Sequence, residues 1–206
     1  MIPQYEDTDE DAIKVDAVPL LITNRKTVEL HPHYPIHSDV TRLTPLLRRS
    51  WQHSHPDLLT CPDCRAWLEA AVALYQGPFL ADFSLYDSNS FEAWAQIKRE
   101  SLHRQTLDAL DTLTHIYLAE HDYQQAEQTA RRQLAIDNLR ENAYRQLMQI
   151  LASTGRRSEA IALYEECQRL LTDELGMSPA AKTTALSGHQ NNSCQICQPA
   201  PIYPSL

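Results

Sequence analysis

Two histidines and two cysteines, the side chains that most often bind zinc in proteins, lie within a dozen residues of one another. His53 and His55 form a His-x-His pair, and Cys61 and Cys64 form a Cys-x-x-Cys pair after five intervening residues. The Cys-x-x-Cys spacing lets two sulfur atoms reach one ion, and two imidazole nitrogens would complete a tetrahedral shell. The group therefore predicts a structural zinc ion held by these four residues.

Other interpretations of the same residues stay open. The cysteines can be free thiols of a surface loop, or Pro62 and Asp63 can simply begin a helix. A redox dithiol is a third interpretation, although the sequence around the motif does not show the alternating strands and helices in which such dithiols occur. A second Cys-x-x-Cys pair, Cys194 and Cys197, is a further possible source of ligands.

The sequence offers no recognisable catalytic pattern. Four protein ligands would leave a zinc ion without an open position for water, and there is no His-Glu-x-x-His sequence. The four glycines do not form a Gly-x-x-x-x-Gly-Lys phosphate loop. We therefore expect a protein that is not an enzyme, and a zinc hydrolase is the less favoured alternative.

Composition narrows the class of protein further. The 206 residues suit one or two small domains, and the net charge of −9 argues against strong non-specific binding of nucleic acid. No run of apolar residues is long enough to span a membrane, and the acidic start lacks the features of a secretory signal. We expect a cytoplasmic protein without a membrane partner. Five cysteines, an odd number, favour reduced thiols or metal ligands over a disulfide framework.

An internal repeat organises the second half of the chain. A shift of 34 places (143 − 109) superimposes apolar residues on one another: Ala109 on Ala143, Leu113 on Leu147, Ile116 on Ile150, Tyr117 on Leu151 and Ala126 on Ala160. Turns are predicted at Asp122-Tyr123 and Gly155-Arg156 inside the repeats, and at Asp137-Asn138 between them.

A period of about 34 residues is typical of tetratricopeptide-like helical hairpins, which stack and offer an extended surface to a partner. The repeat thus predicts a mainly α fold of stacked hairpins. It also predicts binding of a protein partner, or self-association, through the helical repeats. An ordinary helical bundle is the alternative.

Two different segments are predicted ahead of the helical part. Residues 1–17 are acidic and poor in apolar side chains, which favours a flexible lead-in. Residues 18–38 contain two short β-type runs around a polar turn, which predicts a β-hairpin. Arg25 and Lys26 lie at the tip of that hairpin.

Residues 39–186 are predicted to be the helical domain. Its first helix is predicted to begin at Asp39 and to be interrupted near Pro45, and Ser90 is predicted to cap a later helix. Residues 187–206 are rich in polar residues and proline, and are predicted to be a disordered tail without a packed helix.

We interpret several aromatic and basic residues as structural rather than as ligand-binding residues. An aromatic stripe at Phe79, Phe83, Phe91 and Trp94 is predicted to pack in the core. Three arginine pairs are predicted to be solvated helix faces or turn residues: Arg48-Arg49, Arg131-Arg132 and Arg156-Arg157.

Short motifs follow one another between residues 75 and 186: Tyr75 to Leu85, Phe91 to Trp94, Lys98 to Glu100, Arg131 to Leu134, Arg140 to Met148, Gly155-Arg156 with Ala160 and Tyr164, Glu174 to Pro179 and Thr183 to Leu186. In this order they closely resemble the bacterial transcriptional activator domain of the streptomycete antibiotic regulatory protein type, over about residues 67–186. The resemblance implies an all-helical, tetratricopeptide-like unit that serves as a regulatory module of a transcription factor.

In that family the domain follows a winged-helix DNA-binding domain, and the hairpin at residues 18–38 resembles the terminal wing of such a domain. The residues before it contain no helix-turn-helix pattern and no recognition helix. Arg25 and Lys26 can contact the DNA backbone, but such contacts do not specify sequence. We therefore expect a transcriptional regulator fragment with weak or absent DNA binding. A freestanding scaffold with no role at DNA is the alternative.

Overall fold

The computed structural model describes residues 19–32 and 38–191, so the predicted lead-in and the end of the predicted tail lie outside the described residues. The chain divides into two units, with the boundary between residues 38 and 39. The first contains strands β1 (Leu21–Thr23) and β2 (Val28–Leu30). The second contains seven described helices: α1 (Asp39–Gln52), α2 (Pro62–Leu74), α3 (Asn89–Ala119), α4 (Tyr123–Ile136), α5 (Glu141–Ser153), α6 (Arg157–Leu175) and α7 (Ala181–Asn191).

These elements confirm a mainly helical fold with a short β-hairpin at its start. In the parts of the chain that the structure describes, no helix is long and apolar enough to cross a membrane.

The hairpin turn is organised by the side chain of Asn24. Strands β1 and β2 pair antiparallel, with Thr23 opposite Val28. The Oδ1 atom of Asn24 accepts hydrogen bonds from the amides of Lys26 (2.8 Å) and Thr27 (2.7 Å). Both Arg25 and Lys26 are exposed, so this ordered turn presents two cations to solvent.

The helices pair into three successive hairpins, α1 with α2, α3 with α4, and α5 with α6, and α7 packs against both α5 and α6. The second and third hairpins are the two predicted repeats. Their helices approach closely at four alanines that are all 0% exposed: Ala109, Ala126, Ala143 and Ala160. Because these positions are related by the 34-residue shift, the repeat in the sequence is also a repeat of the packing.

The two repeats also share one turn. His121 and Gly155 are equivalent, and both have left-handed backbone, with φ of 59° and 78°. The flanking hydrogen bonds match as well: from the amide of Asp122 to the carbonyl of Tyr117 (2.9 Å), and from the amide of Arg156 to the carbonyl of Leu151 (2.8 Å). Glycine adopts this conformation without steric cost, whereas histidine does so at some cost.

Arg132 joins the first hairpin to the second. This side chain on α4 is half-buried. One of its terminal nitrogens donates hydrogen bonds to the carbonyls of Val72 (2.6 Å) and Tyr75 (2.7 Å), at the carboxyl end of α2. The prediction that this arginine pair is solvated is therefore wrong for Arg132, which caps a helix of the preceding hairpin.

A buried polar seam joins the second hairpin to the third. Gln133 on α4 is 0% exposed, and its Nε2 donates to Oγ1 of Thr114 (3.0 Å) and to Oε1 of Gln146 (2.9 Å). Its Oε1 accepts a hydrogen bond from Nε of Arg140 (3.2 Å). Gln146 in turn donates to Asp111 (2.9 Å). Since Gln133 and Gln146 are buried, at 0% and 3% exposed, their amides depend on these partners for hydrogen bonds.

Helix α7 closes the end of the stack. The carboxylate of Glu141, at the start of α5, accepts hydrogen bonds from the amide of Ala180 (2.8 Å) and from the hydroxyl of Thr183. Thr183 is 0% exposed. The helix continues beyond Leu186 to Asn191, so the first residues of the predicted disordered tail are helical.

Two predictions about individual helices are wrong, one about an interruption and one about a cap. Helix α1 continues through Pro45 because this proline is exposed and removes only one backbone hydrogen bond, while Leu43 and Leu47 on either side are buried in the core. The cap of α3 is Ser88 rather than Ser90, since Oγ of Ser88 accepts the hydrogen bond from the amide of Phe91 (3.4 Å).

Candidate metal centre and interaction surface

Three of the four predicted zinc ligands meet between α1 and α2. His53 follows the last residue of α1, Cys61 is the residue before α2, and Cys64 lies in the first turn of α2. The Nδ1 atom of His53 is 3.3 Å from Sγ of Cys64 and 3.5 Å from Sγ of Cys61. Their ligand atoms all lie within 4.8 Å of one another, so a single ion can contact all three.

The loop between the helices brings Cys61 back to His53. Asp57 caps a short 3-10 turn at Leu58–Thr60, where its carboxylate accepts a hydrogen bond from the amide of Leu59 (3.0 Å). Pro62 then occupies the first position of α2. The interpretation that Pro62 begins a helix is therefore correct, and it is compatible with metal binding because it directs both thiols toward the end of α1.

Cys64 is the most enclosed of these residues. It is 0% exposed, and its Sγ donates to the carbonyl of Ser50 (3.6 Å). Burial, together with the hydrogen bond and the charge of Cys61, raises the pKa of Cys64 to about 11. Without a nearby cation this thiol is therefore protonated at neutral pH.

His55 lies beside the other three residues. Its ring centroid is 5.7 Å from that of His53, and the His53 ring also contacts Trp67 edge-on, with 5.2 Å between centroids. The Nδ1 atom of His55 is buried and has no hydrogen-bond partner among the described residues. A buried ring nitrogen without a partner has lost its hydration with no replacement, which is costly in a folded protein.

Part of the aromatic stripe that was predicted to lie in the core is at the surface. Phe83 is 47% exposed and Trp94 is 45% exposed, and Ile97, one turn further along α3, is 67% exposed. Ring contacts at centroid distances of 5.6 Å link Phe79 to Trp94, Trp94 to Phe91, and Phe91 to Phe83. We call these four rings and Ile97 the aromatic patch. The prediction of a core is wrong for Phe83 and Trp94, which are about half exposed, whereas the half-buried Phe79 packs against the main core as predicted.

Arg99 holds the loop that carries part of the aromatic patch. Its guanidinium donates to three backbone carbonyls, those of Phe79 (2.7 Å), Leu80 (2.9 Å) and Phe83 (3.3 Å). Leu80 adopts a left-handed φ of 49° within this loop. A single side chain, from the motif Lys98 to Glu100, thus orders this loop.

A groove of about 540 Å³ runs between α2, α3 and α4. At one end Glu69 accepts hydrogen bonds from Arg65 (2.7 Å) and from the hydroxyl of Tyr117 (2.7 Å). Burial alone would raise the pKa of Glu69, but these bonds outweigh it and hold the pKa below its usual range. Burial and the bond to Glu69 raise the pKa of Tyr117 to about 12. These groups satisfy one another, which suits a structural role.

Stacked hairpins of this kind define a helical-repeat protein. The family model of the bacterial transcriptional activator domain matches residues 47–189, more than half of the chain, so the chain belongs to this family of regulatory domains. The match confirms the resemblance found in the sequence. The matched range contains the residues of the metal-ligand group and of the aromatic patch. No curated protein matches the chain.

Proposed function

We propose that this chain is the protein-binding, regulatory part of a transcriptional regulator, and that the aromatic patch is where it binds. Membership of the family supports the regulatory role. The exposed rings of Phe83 and Trp94 and the side chain of Ile97 support the binding role. The partner is a component of the transcription machinery or a second copy of the chain.

The physical chemistry of the patch favours binding. Aromatic side chains bury large areas at low cost in conformational entropy, and they are common among residues that dominate interface energetics. Contiguous exposed apolar surface is unusual on a protein that has no partner. Because Arg99 already orders the supporting loop, less entropy is lost when a partner binds.

Substitutions in the aromatic patch test this proposal. We expect Trp94→Ala and Ile97→Glu each to weaken binding by at least about tenfold, since residues at the centre of an interface contribute the most. Binding of the purified chain to bacterial RNA polymerase holoenzyme would be measured by biolayer interferometry. Self-association would be measured by sedimentation velocity.

Trp51→Ala is the matched control, because Trp51 is exposed to a similar extent, 53%, but lies on α1 away from the patch in sequence. Circular dichroism would check that each variant is folded. Absence of binding to both polymerase and itself at tens of micromolar, or equal effects of Trp94→Ala and Trp51→Ala, would contradict the proposal.

For DNA, we propose only a weak contact of Arg25 and Lys26 with phosphates. The exposure of both side chains on the hairpin turn supports this, and the net charge of −9 opposes stronger binding. In fluorescence anisotropy with mixed-sequence duplexes, binding should be detectable at low salt and lost at physiological salt. Arg25→Ala should reduce the slope of log affinity against log salt by about one.

The outcomes of the DNA experiment separate three possibilities. Sequence-selective binding at physiological salt would show that the hairpin binds DNA more strongly and more selectively than we propose. No binding even at low salt would favour the scaffold without a role at DNA. A salt slope that Arg25→Ala leaves unchanged would place the phosphate contact elsewhere.

A further inference from the structure

We propose that His53, His55, Cys61 and Cys64 bind a structural zinc ion that fastens the end of α1 to the beginning of α2. The proposal is independent of any protein partner. It depends on the convergence of three ligand atoms and on the unpartnered nitrogen of His55.

The distances fit a tetrahedral zinc site. With Zn–S bonds of about 2.3 Å and Zn–N bonds of about 2.0 Å, a nitrogen and a sulfur on the same ion lie about 3.5 Å apart. The distances from Nδ1 of His53 to the two sulfurs are 3.3 Å and 3.5 Å. Both nitrogen–sulfur distances thus match a tetrahedral shell, and the two sulfurs lie within 4.8 Å of each other, against about 3.8 Å in such a shell.

His55 supplies the fourth corner. Its Nδ1 is buried without a hydrogen-bond partner in the described part of the chain, and its ring neighbours that of His53. Coordination would give this nitrogen the partner it lacks. His55 is not among the residues whose ligand atoms lie within 4.8 Å of one another, so binding requires a rotation or shift of its ring.

The ion would act as a cross-link between two helices. Its ligands come from the chain just after α1, the residue before α2 and the first turn of α2, so it closes the loop between them. Zinc binding would release the thiol protons of both cysteines, and the two thiolates would neutralise the ion's charge. With four protein ligands the ion has no open position, which makes the site structural rather than catalytic.

Metal analysis of the untagged full chain tests the site. After dialysis against metal-free buffer, mass spectrometry of the metal content should find about one zinc ion per chain. Cys61→Ser and His53→Ala should each lose the ion. Removal of zinc from the unaltered chain by a chelator should lower its melting temperature by several degrees, and added zinc should restore it.

The tail cysteines provide the control. The double variant Cys194→Ser and Cys197→Ser should keep the ion, whereas its loss would assign the sulfur ligands to the tail and overturn the proposal. Substoichiometric zinc in the unaltered chain, with no change in melting temperature when zinc is added, would also overturn it. Because Cys64 is fully buried, the half-buried Cys61 is the safer position for substitution.

The role of His55 has its own measurement. Cobalt substituted for zinc should give the intense visible bands of a tetrahedral ion and a thiolate charge-transfer band. His55→Ala should change the visible bands and weaken zinc binding by at least about tenfold, while circular dichroism stays unchanged. An unchanged spectrum and affinity would show that His55 is not the fourth ligand.

Discussion

Replacing Gln133 by leucine is expected to lower the free energy of unfolding by about 3 kcal/mol, even though the substitution makes a fully buried residue more apolar. The two side chains are similar in volume, so the loss is one of hydrogen bonds rather than of packing. Urea unfolding followed by circular dichroism would measure it.

The cost arises from the groups that Gln133 leaves behind. Oε1 of Gln146, in a residue only 3% exposed, loses the hydrogen bond from Gln133, and Nε of Arg140 loses its acceptor. Thr114 is affected less, because its hydroxyl also bonds to the carbonyl of Leu110 (2.8 Å). Each buried polar atom left without a partner costs about 1–3 kcal/mol.

Two further variants check this explanation. Gln124→Leu changes an exposed glutamine on the same helix, and should alter stability by less than about 0.5 kcal/mol. The double variant Gln133→Leu and Gln146→Leu should cost less than the sum of the two single substitutions, since both partners of one bond are removed together. Strict additivity would mean that the two amides do not interact.

The second large effect is expected at Arg132. Arg132→Ala should lower the free energy of unfolding by about 2–3 kcal/mol, because the carbonyls of Val72 and Tyr75 would lose a charged donor at the end of α2. Arg132→Lys should recover only part of this, since an ammonium group lacks the planar array of donors. Urea unfolding would again be the measurement.

Arg131→Ala is the control for this effect. Arg131 is the adjacent residue, its side chain is 52% exposed, and its partner Glu127 (2.7 Å) also has an ion pair with Arg156 (2.6 Å) that Arg131→Ala leaves in place. Exposed ion pairs contribute about 0–1 kcal/mol. Equal losses for Arg131→Ala and Arg132→Ala would mean that overall charge, rather than the helix cap, determines the stability.

The repeat was predictable because it depends on short-range patterns. Alanines 34 residues apart must both allow close approach of helices, and the turns at Asp122-Tyr123 and Gly155-Arg156 carry their own signals. Among the predicted zinc ligands, the Cys-x-x-Cys pair meets His53 because all of these residues border a single connection between two helices.

Other features were not predictable because they depend on tertiary contacts. Arg131 and Arg132 have the same residue type, and only the position of α2 separates an exposed side chain from a helix cap. The burial of Gln133 had one indirect indication in the sequence, because the 34-residue shift places it on Cys167. Both residues are 0% exposed in the structure. The spacing of Phe91 and Trp94 correctly indicated an apolar face, but not whether another element covers it.

Helix α7 covers the last of the described hairpins. Stacked hairpins present at their last face the same kind of apolar surface that joined the earlier ones, so an open end is a template for another molecule. Glu141 and Thr183 seat α7 on that face in place of a further hairpin. Within the described residues α7 therefore acts as a lid on the last hairpin, and a version cut before Ala181 would expose to solvent the surface of α5 and α6 that α7 covers.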